Sequence, residues 1–272
     1  MHSMYGWLDP LRFLICLLFL MIASIYDIKT REVPNTVWII FAPIGLALTL
    51  VQLALNNWDQ TFIMKWIISA TITIGLSLVL FYLGLFGGAD AKALMCLAAS
   101  MPTRPNLGNI KPILKPHMPI VSMPLPLSTF NNAVLVASLL PIAIVSRNVV
   151  DLARSRGKMF EGLEEEKLIA KVFAFITGFR VDVQKLRVKK HHYMLLEVFD
   201  VEENGKMHRH LKILQRLSGN GESEVKENIP SEVDGKIWVT IGLPFLFFIT
   251  LGFLSAIFLG DLVLWLVNIA VF

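Results

Sequence analysis

The sequence predicts an all-α polytopic membrane protein with about six transmembrane helices and a small α+β module inserted before the last helix. The first observation is composition, since the 272 residues are 55% apolar and only 17% charged, whereas an average soluble domain carries about 25% charged residues. The second is that four long runs contain no Asp, Glu, Lys or Arg: residues 13–26, 33–57, 66–89 and 237–260. The third is a single extended polar stretch, residues 147–236.

The charge-free runs differ in whether they can cross a bilayer, which takes a helix of roughly 20 residues. Three runs are long enough: residues 33–57, 66–89 and 237–260. Run 13–26 reaches this length only if Arg12 extends its charged group to the membrane interface. No small-residue cleavage site follows that run, so we expect the first helix to be kept rather than removed as a signal peptide. Two weaker candidates bring the expected number to about six: residues 93–101 and 130–146.

Basic residues in the connectors indicate how the chain crosses the membrane. The connector 27–35 contains Lys29 and Arg31, whereas the connector 56–60 contains neither Lys nor Arg. Because Lys and Arg concentrate in short cytoplasmic loops, we expect the first connector in the cytoplasm and the second outside. The third helix then returns the chain to the cytoplasm at residues 86–92.

The segment 102–126 is rich in proline and cannot be a regular helix throughout. The order of crossings predicts that it is an external loop. Three basic residues argue against this placement: Arg104, Lys111 and Lys115.

The polar stretch 147–236 is expected to form a cytoplasmic α+β module, because basic residues cluster at its start: Arg147, Arg154, Arg156 and Lys158. Residues 164–176 have the apolar spacing of a helix. Segments 194–201 and 207–213 flank an Asn-Gly pair, which is a strong signal for a β-hairpin. Residues 218–234 have the composition of a flexible tether.

The last span is expected to begin at Ile237, and the final run 262–272 is too short to cross alone. These assignments divide the chain into three parts. Residues 1–146 hold the first five helices, residues 147–236 form the module, and residues 237–272 hold the last helix and a short apolar segment.

Two acids lie at the cytoplasmic ends of the predicted helices, Asp27 after the first and Asp90 at the start of the fourth. An ionisable residue at the edge of hydrocarbon is a candidate for function. Simpler interpretations stay open, since Asp27 can be an interfacial acid that ends a helix, and Asp90 can cap the fourth helix.

If the two carboxyl groups meet, they share one proton, because both cannot ionise easily side by side. The ionised acid can then activate a water molecule, and the protonated acid can stabilise the charge that develops on an attacked carbonyl. This chemistry requires no cofactor and no metal. Gly87 and Gly88, just before Asp90, either allow a close backbone approach or a positive φ, or form a glycine pair that ends a helix.

Residues 27–35 and Gly87-Gly88-Ala89-Asp90 resemble the two active-site motifs of the GxGD-type membrane aspartyl peptidases, specifically the archaeal preflagellin and type IV prepilin peptidases. The helix order and the tail, from Lys236 through Gly260-Asp261, are also similar. The resemblance implies that Asp27 and Asp90 form the catalytic dyad, and Arg31 and Asn35 match further motif positions. Ala89 replaces the second glycine of the motif, which puts the backbone geometry in question more than the chemistry.

The resemblance also implies a substrate class and a location. The substrates are precursors with a short basic leader ahead of an apolar helix, cut at the cytoplasmic face of the plasma membrane. Related bacterial enzymes that also methylate the new amino terminus carry a cysteine-rich insertion. This chain contains only two cysteines, so we expect no methyltransferase activity.

Other function classes are less favoured by the residues. The net charge of +4 is not accompanied by a nucleic-acid motif, and we expect no nucleic-acid partner. Four histidines lack the spacing of a metal site and are expected on the surface: His191, His192, His208 and His210. A proton-coupled or cation-coupled transporter is the alternative function, because intramembrane acids also carry ions. A membrane scaffold whose module binds partners is a third hypothesis.

Overall fold

The computed structural model describes residues 6–108, 110–114, 123–155, 158–188, 193–201, 207–211, 230, 233, 235–240 and 242–271. The helices, in chain order, are α1 Leu8–Thr30, α2 Asn35–Leu55, α3 Gln60–Tyr82, α4 Gly88–Ser100, α5 Leu125–Ala137, α6 Leu139–Arg154, α7 Leu168–Thr177, α8 Val183–Val188, α9 Phe245–Phe258 and α10 Leu262–Val271. The strands are β1 Phe179–Asp182, β2 Met194–Leu195, β3 Glu197–Val201, β4 Met207–Leu211 and β5 Lys236–Thr240. The chain divides into two units, a helical unit (residues 1–137 and 244–272) and an α+β unit (residues 138–243).

The predicted class, a mostly helical polytopic membrane protein with a small sheet-containing module, is confirmed. Among the described residues, four helical segments are long and apolar enough to cross a membrane: α1, α2, α3 and the continuous stretch Leu125–Arg154. The pair α9 and α10, bent by 61°, makes a fifth if it counts as one span. The number expected from sequence was about six. The difference lies partly in α4, which has only 13 residues.

More than half of the residues of helix α4 are buried, and the helix packs against α2 and α3. Close approach depends on residues without bulk at the contact, as is usual between membrane helices. A Cβ at Gly45 of α2 would lie 1.7 Å from Ser100 Oγ of α4. A Cβ at Gly252 of α9 would lie 2.3 Å from the backbone oxygen of Thr129 in α5.

Arg12, on which the length of the first predicted span depended, is buried within the protein. Its side chain is 3% exposed and donates from Nε to the backbone oxygen of Ser100 at 3.0 Å and from Nη2 to Thr49 Oγ1 at 3.2 Å. Asp9 Oδ1 lies 3.7 Å from Arg12 Nη1. A buried guanidinium is tolerated when its donors are satisfied by protein, and here α2 and α4 supply the acceptors.

Two residues of the proline-rich segment form hydrogen bonds with the end of α9. The backbone N–H groups of Ile113 and Leu114 donate to the oxygens of Phe258 and Leu259 at 3.1 and 2.9 Å. Helix α5 begins within the segment, at Leu125, and residues 115–122 lie outside the described residues. The helix predicted over 130–146 therefore corresponds to the two helices α5 and α6.

The α+β unit contains a three-stranded antiparallel sheet of order β1-β5-β2 and the separate pair β3-β4. The predicted hairpin is present, with Val201 opposite Met207, and its Asn-Gly turn lies outside the described residues. The predicted helix 164–176 corresponds to α7, which begins four residues later. Most of the predicted tether, residues 218–234, also lies outside the described part of the chain.

Glu197 joins the hairpin to the sheet of the α+β unit. Its buried carboxylate accepts two hydrogen bonds from Arg209, at 2.7 and 2.9 Å, and one from the backbone N–H of Trp238 at 2.6 Å. These partners compensate the cost of burying the charge.

The sequence predicted that the last membrane helix begins at Ile237, and this prediction is wrong. Residues Lys236–Thr240 form β5, the central strand of the sheet, and α9 begins at Phe245 after Pro244. The charge-free run 237–260 therefore has two parts with different surroundings. Its first part is apolar because Ile237 and Val239 are buried in the core of the α+β unit.

Candidate active site

Asp27 lies in the last turn of α1, where it is half-buried. The helix ends directly after Thr30, because Arg31 adopts a left-handed conformation (φ 61°) and its backbone N–H donates to the oxygen of Asp27. Asp27 Oδ2 accepts a hydrogen bond of 3.2 Å from the backbone N–H of Leu246. Leu246 is the second residue of α9, so a helix amino terminus, which favours negative charge, faces this carboxylate.

Ser24, one turn before Asp27, fastens α1 to the same end of α9. Its hydroxyl donates to the backbone oxygen of Leu246 at 3.0 Å and lies 2.7 Å from Thr250 Oγ1. Both hydroxyl side chains are buried. These bonds fix the position of α1 along α9, and they thereby place Asp27 beside the first turn of α9.

Asp90 is the third residue of α4, and its Oδ2 accepts a hydrogen bond of 3.1 Å from the backbone N–H of Gly87. The interpretation that Asp90 caps α4 is therefore correct, and this role does not exclude a catalytic one. Burial raises the pKa of Asp90 to about 7, with the Gly87 hydrogen bond opposing the rise and repulsion from Asp27 adding to it. A carboxyl group with this pKa holds its proton for much of the time near neutral pH.

The fold brings the two predicted acids together. Helices α1 and α4 are in contact, and the charge of Asp27 acts on Asp90. The two carboxyl groups reach the site from residues 63 positions apart in the sequence, at the carboxyl end of one helix and the amino end of another. Such a pair is arranged for one ionised and one protonated member.

The other motif residues take different positions. Asn35 Oδ1 accepts a hydrogen bond of 2.7 Å from Lys92 Nζ, which ties the first motif to the helix that carries Asp90. Arg31 is exposed, and its positive charge acts on Asp27. Lys29 is exposed in the last turn of α1.

Gly87 and Gly88 begin α4 and do not end α3, so the interpretation as a helix-ending pair is wrong. Helix α3 ends at Tyr82, and the left-handed turn after it is at Gly84 (φ 69°). Gly87 has an ordinary φ of −69°, which also excludes the positive φ suggested for this position. What Gly87 provides is space, because a Cβ there would lie 3.1 Å from Asp90 Oδ2. A Cβ at Gly88 would make an ordinary contact of 3.6 Å with Phe81.

An aromatic cluster beside the two acids was not identified from the sequence. The ring centroid of Phe86 lies 5.7 Å from that of Phe130 in α5 and 5.0 Å from that of Phe245 in α9. Phe86 directly precedes Gly87, so the cluster holds the turn of the second motif against the first residue of α9. Pro244, a residue type common at helix starts, is the sequence signal for the start of α9, which places Phe245 in its first turn.

The histidines are remote from this site in sequence and lie in the α+β unit. His210 Nδ1 lies 3.1 Å from Glu166 Oε1, and the rings of His208 and His210 stack with centroids 6.4 Å apart. His191 and His192 lie outside the described residues. Cys16 and Cys96 are free and buried.

Comparison with known proteins identifies two family models that match different parts of the chain. Residues 14–143 match the model described as type IV leader peptidase family. Residues 170–262 match the model described as archaeal peptidase A24 C-terminus, type II. Asp27 and Asp90 both lie in the first matched segment.

Curated relatives align with nearly the whole chain. A preflagellin peptidase of Methanocaldococcus jannaschii is 27% identical over 256 residues, which cover 92% of this chain and 94% of the relative. A preflagellin peptidase of Methanococcus voltae is 28% identical, with 91% and 94% covered. A third, of Methanococcus maripaludis, is 27% identical, with 93% and 97% covered.

Proposed function

We propose that the chain is a member of the type IV leader peptidase family, whose model matches residues 14–143, and that it removes the short basic leader of preflagellins or related type IV pilin precursors with Asp27 and Asp90 as its catalytic pair. The observation that carries the proposal is that Asp27 at the end of α1 and Asp90 at the start of α4 lie on two helices in contact, so that the charge of one acid acts on the other. The names of the relatives support the substrate class.

The two acids differ in the polar and charged groups that surround them. Asp27 receives an N–H hydrogen bond from the amino terminus of α9 and the positive charge of Arg31, and both stabilise a carboxylate. Burial raises the pKa of Asp90, with the charge of Asp27 contributing to the same direction. We therefore assign Asp27 as the base and Asp90 as the acid of the resting enzyme.

The reaction follows from this assignment. Asp27 takes a proton from a water molecule while the oxygen of that water forms a bond to the scissile carbonyl carbon. At the same time Asp90 donates a hydrogen bond to the carbonyl oxygen. The tetrahedral intermediate then collapses, the C–N bond breaks, and the leaving nitrogen accepts the proton that Asp27 acquired. Neither a covalent enzyme intermediate nor a metal takes part.

The protein is a multi-pass membrane protein, and we propose that its active site faces the cytoplasm. Lys29, Arg31 and Lys92 lie in or beside the segments that carry the acids. Basic residues in short connectors favour the cytoplasmic side. A cytoplasmic site meets the leader of a precursor before the following apolar helix leaves the membrane.

The test is cleavage of a labelled preflagellin by the purified full chain in detergent, with and without a metal chelator. Cleavage is expected to resist the chelator. Asp27→Asn and Asp90→Asn are expected to reduce the rate by about 10²–10⁴-fold or more, because each removes one proton-transfer group. Glu32→Gln is the matched control, since Glu32 is an exposed acid in the same connector as Arg31.

Wild-type cleavage by either Asn variant would refute the assignment of the pair. The transporter hypothesis receives no support from the comparisons, because the matched family and the three relatives are peptidases.

A further inference from the structure

The α+β unit contains a second candidate site, a cavity of about 340 Å³. Its charged lining residues are four basic and one acidic: Arg147, Asp151, Arg154, Arg180 and Lys236. They come from α6, β1 and β5, so three separate elements of the unit bring positive charge to one place.

The single acid is already bound within the cavity. Asp151 Oδ2 accepts hydrogen bonds from Arg180 at 2.9 and 3.0 Å, and Lys236 Nζ lies 3.6 Å from its other oxygen. Two cations therefore share one carboxylate, and Arg147 and Arg154 add further positive charge. The cavity thus holds a net positive charge that its own lining does not neutralise.

Arg147 and Arg154 differ in how they are held. The Arg147 guanidinium carbon lies 4.1 Å from the ring centroid of Phe179, an arrangement that orients the group. Arg154 is exposed at the last residue of α6 and, within the described residues, has no hydrogen bond or ion pair. One positioned and one available guanidinium group suit an oxyanion, because each guanidinium can donate two parallel hydrogen bonds to phosphate oxygens.

The exposed apolar side chains of α6 indicate which class of molecule carries such an anion. Four large apolar side chains of α6 are about half or more exposed: Leu139, Ile142, Val149 and Val150. At helical spacing they lie on one side of α6, and Arg147 and Arg154, seven residues apart, lie together on an adjacent side. The helix belongs to a stretch apolar enough to cross a membrane, Leu125–Arg154, and its basic residues are at the polar end.

We propose that this cavity binds the phosphate group of an anionic membrane lipid, whose acyl chains lie along the apolar side of α6. The chemistry shared with free phosphate is the oxyanion, and the exposed apolar side chains next to the guanidinium groups favour the lipid. The cavity belongs to the α+β unit and the two acids belong to the helical unit, and the proposal does not depend on the proposed peptidase activity.

Native mass spectrometry of the full chain in neutral detergent tests the proposal. Phosphatidylglycerol is the anionic probe, phosphatidylcholine the zwitterionic one, and inorganic phosphate the free anion. We expect phosphatidylglycerol to bind at least tenfold more tightly than phosphatidylcholine, and phosphate to compete only weakly. The double variant Arg147→Gln/Arg154→Gln is expected to lose about tenfold in phosphatidylglycerol affinity.

Lys185→Gln is the control, because it removes one charge from an exposed residue of the same unit outside the cavity. Arg154→Gln alone changes only an exposed side chain, so its folding is not at risk, and it should give part of the loss. Equal phosphatidylglycerol affinity in the double variant and the control would overturn the proposal. Competition by inorganic phosphate at the same concentration as the lipid would overturn the lipid assignment.

Discussion

The Asp27 carboxylate is hydrogen-bonded to the backbone N–H of Leu246, a residue 219 positions later in the chain, at 3.2 Å. The bond connects the end of the first long helix to the start of α9. It fixes the position of the proposed base and places the partial positive charge of a helix amino terminus beside it. It also makes the last part of the chain a component of the site, although neither active-site motif lies there.

Removing that N–H tests its role. Proline is tolerated in the first turn of a helix, so Leu246→Pro deletes the donor while α9 can still form. Leu246 is fully buried, and Leu246→Ala is therefore the control for lost packing. Because a hydrogen bond to a charged group contributes about 1.5–3 kcal/mol, the proline variant should cleave preflagellin at least about tenfold more slowly than the alanine variant. Equal rates would show that the bond does not position the base.

The pH dependence of cleavage should have an alkaline limit set by Asp90. Its pKa is raised to about 7, mainly by burial, so the proton is present below that pH and is lost as the pH rises through it. The proposed mechanism needs this proton, and kcat/KM should fall on the alkaline side of about pH 7. Cleavage measured from pH 5.5 to 9 in overlapping buffers gives the profile, and Glu32→Gln should retain it. A rate that stays constant to pH 9 would contradict the role of Asp90 as the acid.

The two adjacent glycines should respond differently to alanine. Gly87→Ala places a Cβ 3.1 Å from Asp90 Oδ2, so the carboxylate must move, and small displacements of reacting groups are costly. We expect about a tenfold or larger loss of cleavage. Gly88→Ala makes only an ordinary contact with Phe81 and should stay within about twofold of wild type. The reverse order would mean that space beside Asp90 is not what Gly87 provides.

The bond between Asn35 and Lys92 should make a smaller contribution. Both residues are exposed, where solvent weakens such interactions, so Asn35→Ala is expected to slow cleavage by about twofold to tenfold. Lys92→Met should have a similar effect, and the double variant should be little worse than either single one, because all three lose the same bond. Thr36→Ala, at an exposed neighbouring position of α2, is the control. Fully additive losses would show that the two residues act separately.

Much of the candidate site could be predicted from the sequence. Asp27 and Asp90 follow from the order of crossings and from the motifs around them, and the structure brings them together. The hairpin of the α+β unit also followed from local signals, because an Asn-Gly pair between two apolar segments specifies its turn. Such features depend on residues close together in the chain.

Other features were decided only by tertiary structure. Hydropathy indicates that a segment avoids water, but it does not distinguish lipid from a protein core, and for this reason Ile237 was assigned to a span although it lies in a strand. The length of the first predicted span depended on Arg12 reaching an interface, yet Ser100 and Thr49, from distant parts of the chain, bind Arg12 in the interior. The N–H of Leu246 carries no side-chain signature at all. The sequence by itself determined the class of protein and predicted the two acids, whereas the packing of helices determined what surrounds them, because that depends on contacts between distant segments.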